Sequence, residues 1–598
     1  MNSLEWTLVA LTNGAIIAFG FWYSRGNQSS VDWFLGGRSL PWWLIGLSMY
    51  ATAIDSSDLV ADSGFTYGIG MAYFVANWVG IVVGWGLASH FVFLPMYRAG
   101  MYTNAEYLEA RFGVGVRMLC ALIQVQYRTL VLGIMGETLY LTLHVVGGWE
   151  PFTAWSGVVA IAVLAAVYTT VGGLRGVAVT DALQFFVMTL AALIIWFFVW
   201  DKVGGWQGIE SRLAEEDAAL PAKMLRIGQD NLERVRVPER SATSSLSREE
   251  RVRRQLLLGG ELENASAASG DTGGPAVIAR RTPAWLVSLA FVVMGIGYSI
   301  VNHTQSMRMF GARSEWHLKM SVVVASLAML TMTFFNLSMG IMGRALYPDQ
   351  TILPDGRQDA IYPYLVSQFE TVGLKGLVVA GILAASFSTY DSIGSSLSAL
   401  LTRDVYARIL RRDADDRHYL RVGQWLVPSI IAISFLYLPF LKSGMLMFYL
   451  ELTSAFVTPL LTLFLMGALT RVHRSSGAIG LAVGAGYGVF RLFAVPVAET
   501  YGVAVLPAWA ANTYAAYPIS IALTSGSMVL VSLLRGWQPA GALLQSEDTA
   551  WLRASQEALR TVSVPQVGRE LGAAGWLPSL LTLGVVGIGL YLSYVVFW

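Results

Sequence analysis

The chain has 598 residues, of which 55% are hydrophobic and only 13% charged. Soluble proteins carry about 25% charged residues, so this composition, with a mean hydropathy of +0.55, excludes a soluble domain and points to a polytopic membrane protein. A net charge of +1 offers no footing for a nucleic-acid partner, and the single cysteine, Cys120, excludes an intrachain disulfide framework.

The first apolar run, residues 4–23, contains Glu5 and lacks a basic flank, so it is expected to be a retained helix rather than a signal peptide. Arg25 and Arg38 follow it and place the N-terminus outside. The second run, residues 42–66, carries Asp55, Asp58 and Asp62 at spacings of three and four, along one helical face. Carboxylates in a spanning segment are costly and mark function by default, although a polar helix packed on other polar helices is the plainer reading. Asp55-Ser-Ser-Asp58 is poor helix material, because Asp and Ser side chains compete for the backbone. A broken helix is expected there, the device by which many transporters build ion and solute sites.

Further spans are predicted at residues 71–97, 116–146, 152–171 and 176–200. A polar segment, residues 201–281, mixes both charges and is expected as a solvated outer loop, with a surface helix at 248–258 and a flexible linker at 265–274. Eight more spans follow at 284–306, 318–346, 374–401, 422–440, 444–469, 477–497, 512–534 and 577–598, fourteen in all. Arginines cluster in alternate short loops, among them Arg98, Arg111, Arg117, Arg175, Arg308 and Arg313, which puts both termini outside. The charged stretches 403–421 and 536–575 are expected as solvated cytoplasmic faces.

Three further features bear on chemistry. The span 374–401 carries a stripe of small and hydroxyl residues, Ala385, Ser388, Thr389, Ser392 and Ser396. Close helix packing explains much of such a stripe; the alternative is a hard-cation site completed by carbonyls of the broken helix. Asp181 opens the sixth span and fits either a capping acid or a cation relay. Gly295-Ile-Gly-Tyr298 is expected to interrupt the span 284–306. Two five-helix halves of opposite orientation then emerge, each opening on an interrupted helix. Asp391 and Glu451 are two more buried acids, and Arg128 and Arg491 are the countercharges at membrane depth; an Arg128–carboxylate pair is a purely structural use for one acid. The six histidines are scattered without metal spacing, and no Gly-rich loop ends in Gly-Lys-Ser/Thr, so neither an enzyme nor an ATP-driven pump is indicated.

Four motifs in order carry a family resemblance: Asp32-Trp-Phe-Leu-Gly-Gly-Arg-Ser-Leu-Pro-Trp-Trp43, Tyr102-Thr-Asn-Ala-Glu-Tyr-Leu-Glu-Ala-Arg-Phe112, Val171-Gly-Gly-Leu174 leading to Thr180-Asp-Ala-Leu-Gln184, and Leu401-Thr-Arg-Asp-Val-Tyr406. Through them the chain resembles the sodium:solute symporter family, which includes sodium/glucose and sodium/proline cotransporters. The resemblance implies an all-α polytopic protein with a leucine-transporter-like five-plus-five inverted repeat. An accessory helix (1–30) would precede the first repeat (42–200), the outer loop (201–283) and the second repeat (284–470), and three accessory helices (471–598) would follow.

It further implies Na⁺-coupled symport by alternating access in a plasma (inner) membrane, without an organic cofactor. The Na⁺ site would comprise the carbonyls of Ala51, Ile54 and Ala385 and the hydroxyls of Ser388 and Thr389. Asp181 would be a second cation site or relay. Asp55, Asp58, Asn77, Tyr298, Glu451 and Asp391 are the candidate solute-binding residues, for a small organic solute such as a sugar, amino acid or amine. The sugar-carrier pattern itself is not reproduced, because its helix-seven lysine is missing and two amide positions are acids here. Proton coupling through Asp55 or Asp58 is the alternative, and a transporter-derived sensor a more distant one.

Overall fold

A computed structural model describes residues 1–23, 30–237, 261–262, 276–371, 373–443, 445–501, 505–538 and 575–598. Thirteen helices among these residues are long and apolar enough to cross a membrane. In chain order the helices that matter here are α1 (Ser3–Tyr23), α2 (Trp42–Ala53), α3 (Ser56–Ile69), α4 (Ala76–Arg98), α5 (Asn104–Phe112), α6 (Val114–Val146), α7 (Pro151–Thr170) and α8 (Gly173–Val203). They continue with α9 (Ala284–Val301), α10 (His303–Phe310), α11 (Glu315–Leu346), α12 (Leu374–Leu410), α13 (Asp416–Leu441), α14 (Met445–Leu469), α15 (Ser476–Val497), α16 (Ala516–Arg535) and α17 (Leu577–Val596). The pair α2/α3 is not among the thirteen, since neither half alone spans a bilayer of about 30 Å.

Both halves of that broken pair are seated on α11 through glycine. A Cβ added at Gly46 of α2 would lie 2.7 Å from the Ser321 carbonyl oxygen, and one at Gly340 of α11 would lie 1.9 Å from the Ser63 carbonyl oxygen. Thr66 of α3 donates its hydroxyl to the Leu337 carbonyl at 2.8 Å. Small residues let backbones approach where lipid supplies no hydrophobic driving force between helices.

The same principle corrects one expectation. α9 runs unbroken through Gly295-Ile-Gly-Tyr298, and the chain breaks instead at Asn302, whose side chain accepts from the Thr304 N–H and caps α10. Gly295 is a packing residue: a Cβ there would meet the Ala76 carbonyl oxygen at 2.4 Å and the backbone of Gly80 at 2.6 Å. Gly295→Ala should therefore cost about 1–3 kcal/mol through overpacking, read as a lower unfolding temperature of the purified protein with its helix content unchanged. The turn between α7 and α8 needs glycine for a different reason, since Gly173 has φ 57° and ψ 177°.

The segment after α8 is more ordered than a solvated loop. It contains helices Gly205–Glu216 and Leu220–Leu225 and a three-stranded antiparallel sheet of β1 (Asn231–Val237), β2 (Glu261–Leu262) and β3 (Ala276–Thr282), with β3 central. These are the only strands among the described residues. The surface helix expected at 248–258 and the linker at 265–274 lie outside them, as does most of the connection 536–575. The stretch 403–421 is only partly solvated. Asp404 is fully buried, paired with Arg117 and accepting from the Thr103 hydroxyl at 2.9 Å, while Arg117 and Arg408 both hold Glu109. Sequence charge alone does not reveal such a network, because its members come from α5, α6 and α12.

Candidate ion and solute site

The break between α2 and α3 is a reciprocal cap. The Asp55 side chain accepts from the Ser57 N–H at 2.7 Å and from the Ser57 hydroxyl, while the Asp58 side chain accepts from the Asp55 N–H at 2.8 Å. Each acid thereby satisfies backbone donors that a helix start leaves orphaned. In a continuing helix the Asp55 amide would donate to the Ala51 carbonyl. Here it is spent on Asp58, and the Ala51 oxygen is left to side chains.

One of these is Ser388 of α12, whose Oγ lies 3.0 Å from the Ala51 oxygen and 2.6 Å from Asp181 Oδ1. A hydroxyl has one hydrogen, so it serves one of those acceptors and leaves the other facing an oxygen. The neighbouring Thr389 hydroxyl is buried without a hydrogen-bond partner. Ala51, Ile54, Ala385, Ser388 and Thr389 are all buried. The Ser388 hydroxyl facing the Ala51 carbonyl, beside a Thr389 hydroxyl with no hydrogen-bond partner, is oxygen chemistry that suits a hard cation.

Asp181 sits beside them, fully buried and two turns inside α8, so it is not the capping acid that a helix start at residue 181 would make it. It is engaged by Arg308 of α10, whose Nη2 donates to Oδ2 at 2.8 Å, and by the Ser48 and Ser388 hydroxyls. Arg308 is 1% exposed and also donates to the Ser48 hydroxyl at 2.7 Å, to the Thr304 carbonyl at 2.9 Å and to Ser392. The sequence placed Arg308 in a basic loop. The available signal was its company: Thr304, Gln305 and Ser306 precede it on one short helix, and all are buried.

On the opposite side of the break lies a cavity of about 70 Å³. Asp55, Asp58, Asp62, Asn77, Tyr298, Tyr73, Tyr449 and Arg128 are among the residues lining it. Tyr298 ties α9 to the broken helix, donating toward the Thr52 carbonyl at 3.4 Å and accepting from Gln305 at 3.1 Å. Four of the six candidate solute residues thus meet here.

Glu451 and Asp391 do not line this cavity. Leu446 and Tyr449 present one face of α14 to the cavity, and Glu451, two residues on, points to the other side. There it pairs with Arg491 and accepts from the Thr513 hydroxyl at 2.6 Å. Asp391 is buried outside the cavity wall and accepts from the Ser392 hydroxyl at 3.0 Å. Arg128 does not make the carboxylate pair that would be a purely structural use of one acid. Among the described residues no carboxylate lies within 4.0 Å of it, and its guanidinium faces the rings of Tyr127 and Tyr298 at 5.6 and 5.7 Å.

Comparison with known proteins gives this architecture its context. The model of the sodium:solute symporter family matches residues 33–249 and 257–484. The sodium/glucose cotransporter 4 of Danio rerio is 29% identical over 504 residues, covering 80% of this chain and 70% of that protein. The sodium/myo-inositol cotransporter 2 of Rattus norvegicus is 26% identical over 501 residues, covering 80% and 68% respectively. Among solved structures, a Na⁺-coupled sialic acid symporter in a substrate-bound outward-open state superposes with a TM-score of 0.67 at 19% identity, covering 90% of this chain and 99% of that one. Many spanning helices around a broken-helix site define a multi-pass membrane transport protein. The chain belongs to the sodium:solute symporter family.

Proposed function

We propose that this protein is a symporter in which Na⁺, held by the carbonyls of Ala51, Ile54 and Ala385 and the hydroxyls of Ser388 and Thr389, drives uptake of a small organic solute by alternating access. The observation that carries the reading is the Ser388 hydroxyl 3.0 Å from the Ala51 carbonyl oxygen that the helix break releases, beside the unpartnered Thr389 hydroxyl. Asp55, Asp58, Asn77 and Tyr298 form the solute side of the same break, so ion and solute bear on one structural element. That is the physical requirement of coupling, since each ligand must prefer the same conformational state. Asp181, occupied by Arg308, acts as a relay between the ion site and α10 rather than as a second Na⁺ site in this conformation.

In this proposal the broken pair completes fourteen spans arranged as a leucine-transporter-like five-plus-five inverted repeat, within a plasma membrane and with both termini outside. The repeats cover residues 42–200 and 284–470, with one accessory helix before and three after. Sodium dependence is testable without knowing the solute. Na⁺ should raise the unfolding temperature of the purified protein relative to K⁺ at equal ionic strength, since a ligand at a hundred times its Kd stabilises by about 2.7 kcal/mol. No difference between the two ions would remove the basis of the proposal.

A further inference from the structure

We propose that the solute carries a positively charged nitrogen and that Asp62 is its counter-ion, an inference that rests on the cavity being the solute site. Three carboxylates line that cavity against one guanidinium. Asp55 and Asp58 are occupied in capping the broken helix. Asp62 is not so employed. It lies farther along α3, 4% exposed, with the Tyr73 hydroxyl 3.3 Å from Oδ1 and no hydrogen-bond partner on Oδ2. A buried carboxylate oxygen without a donor calls for an explanation, and an arriving cation supplies one.

Arg128 does not fill that role. It is 2% exposed, has no carboxylate within 4.0 Å among the described residues, and leaves its Nε unpartnered. It does show how this wall treats a cation, for its guanidinium is set against the rings of Tyr127 and Tyr298. Tyr73, Tyr298 and Tyr449 all border the cavity, and Tyr73 packs edge-on against Phe65 and Phe291 with centroids 5.3 and 5.2 Å apart. Aromatic faces beside a carboxylate are a general means of holding an ammonium group out of water. A neutral polyol would leave three acids facing one arginine, and an anion would add to the imbalance. A protonated amine or a quaternary ammonium group corrects it.

The test uses the full-length protein in lipid nanodiscs, thermal unfolding in Na⁺ medium, and probes paired by shape: choline with 3,3-dimethyl-1-butanol, and glucosamine with glucose. The charged member of a pair should stabilise the protein where its neutral twin does not. Asp62→Asn should weaken apparent affinity for that charged probe by at least about thirtyfold, while Asp62→Glu keeps the preference for charge. The Na⁺-induced shift measured on Asp62→Asn reports whether that variant is folded. If it is not, Asp62→Glu and the paired probes on the unmodified protein decide. Stabilisation by the neutral twins alone, by no cationic probe, or equally in folded Asp62→Asn overturns the proposal. Cationic probes binding while Na⁺ has no effect in any background would sink the sodium reading and leave the charge assignment standing.

Discussion

Replacing Ser388 and Thr389 together by alanine abolishes Na⁺-dependent stabilisation and Na⁺-driven uptake while the protein still inserts and folds. Two of the five proposed ligand oxygens disappear, and the three that remain are carbonyls. A hydrogen bond or polar contact to a charged group contributes about 1.5–3 kcal/mol, so losing two weakens Na⁺ binding at least about a hundredfold. The single variants separate the two roles of this pair. The Thr389 hydroxyl makes no hydrogen bond, so Thr389→Ala reports on the ion more directly. Ser388 also donates to Asp181, so Ser388→Ala disturbs the Arg308 cluster as well. Titration of the unfolding temperature against Na⁺ measures both effects, and wild-type Na⁺ affinity in the double variant would move the ion site elsewhere.

The second large effect is expected at Arg308. Arg308→Met leaves Asp181 buried at 0% exposure with its cation gone, and breaking one side of a buried pair costs about 3–5 kcal/mol. Removing both charges, as Arg308→Met with Asp181→Asn, should restore most of that loss, because no unpaired charge remains. Thermal unfolding of the two single variants and the double variant forms the cycle that measures it. Additive losses would show that the pair contributes nothing as a unit. The double variant is also the informative one for transport, since it relieves the ion site of its link to α10 with most of the stability penalty removed.

Much of this architecture was legible in the residues. Asp55-Ser-Ser-Asp58 announced a break through its poor helix propensity, and the structure shows that the break is a reciprocal cap. The hydroxyl pair on α12 was legible through its spacing. Other features were not, for identifiable reasons. Gly295 and Gly297 signal weak helix and tight packing equally well from sequence, and only the position of Gly80 on α4 decides between them. The direction of Glu451 was not legible, because an acid in a span shows no facing in the sequence. Its neighbour Tyr449 faces the cavity, and Arg491, forty residues on, takes the acid to the other side. Arg308 and Asp404 illustrate the same limit for charges near helix ends, where a loop arginine and a buried one look alike until their partners on other helices are known.

The reciprocal cap at Asp55 and Asp58 has a consequence for anyone who wishes to redesign the cargo. Both acids border the cavity, and Asp58 also holds the Asp55 amide away from Ala51 while Asp55 caps Ser57. Altering either to suit a new solute would let the helix re-form toward Ala51 and withdraw an oxygen from the ion. Under the proposed function, selectivity for cargo and dependence on sodium are therefore coupled through the same two side chains. Under the same proposal Asp62, free of capping duty, is the acid of the three at which evolution or an engineer can exchange the passenger and leave the motor alone.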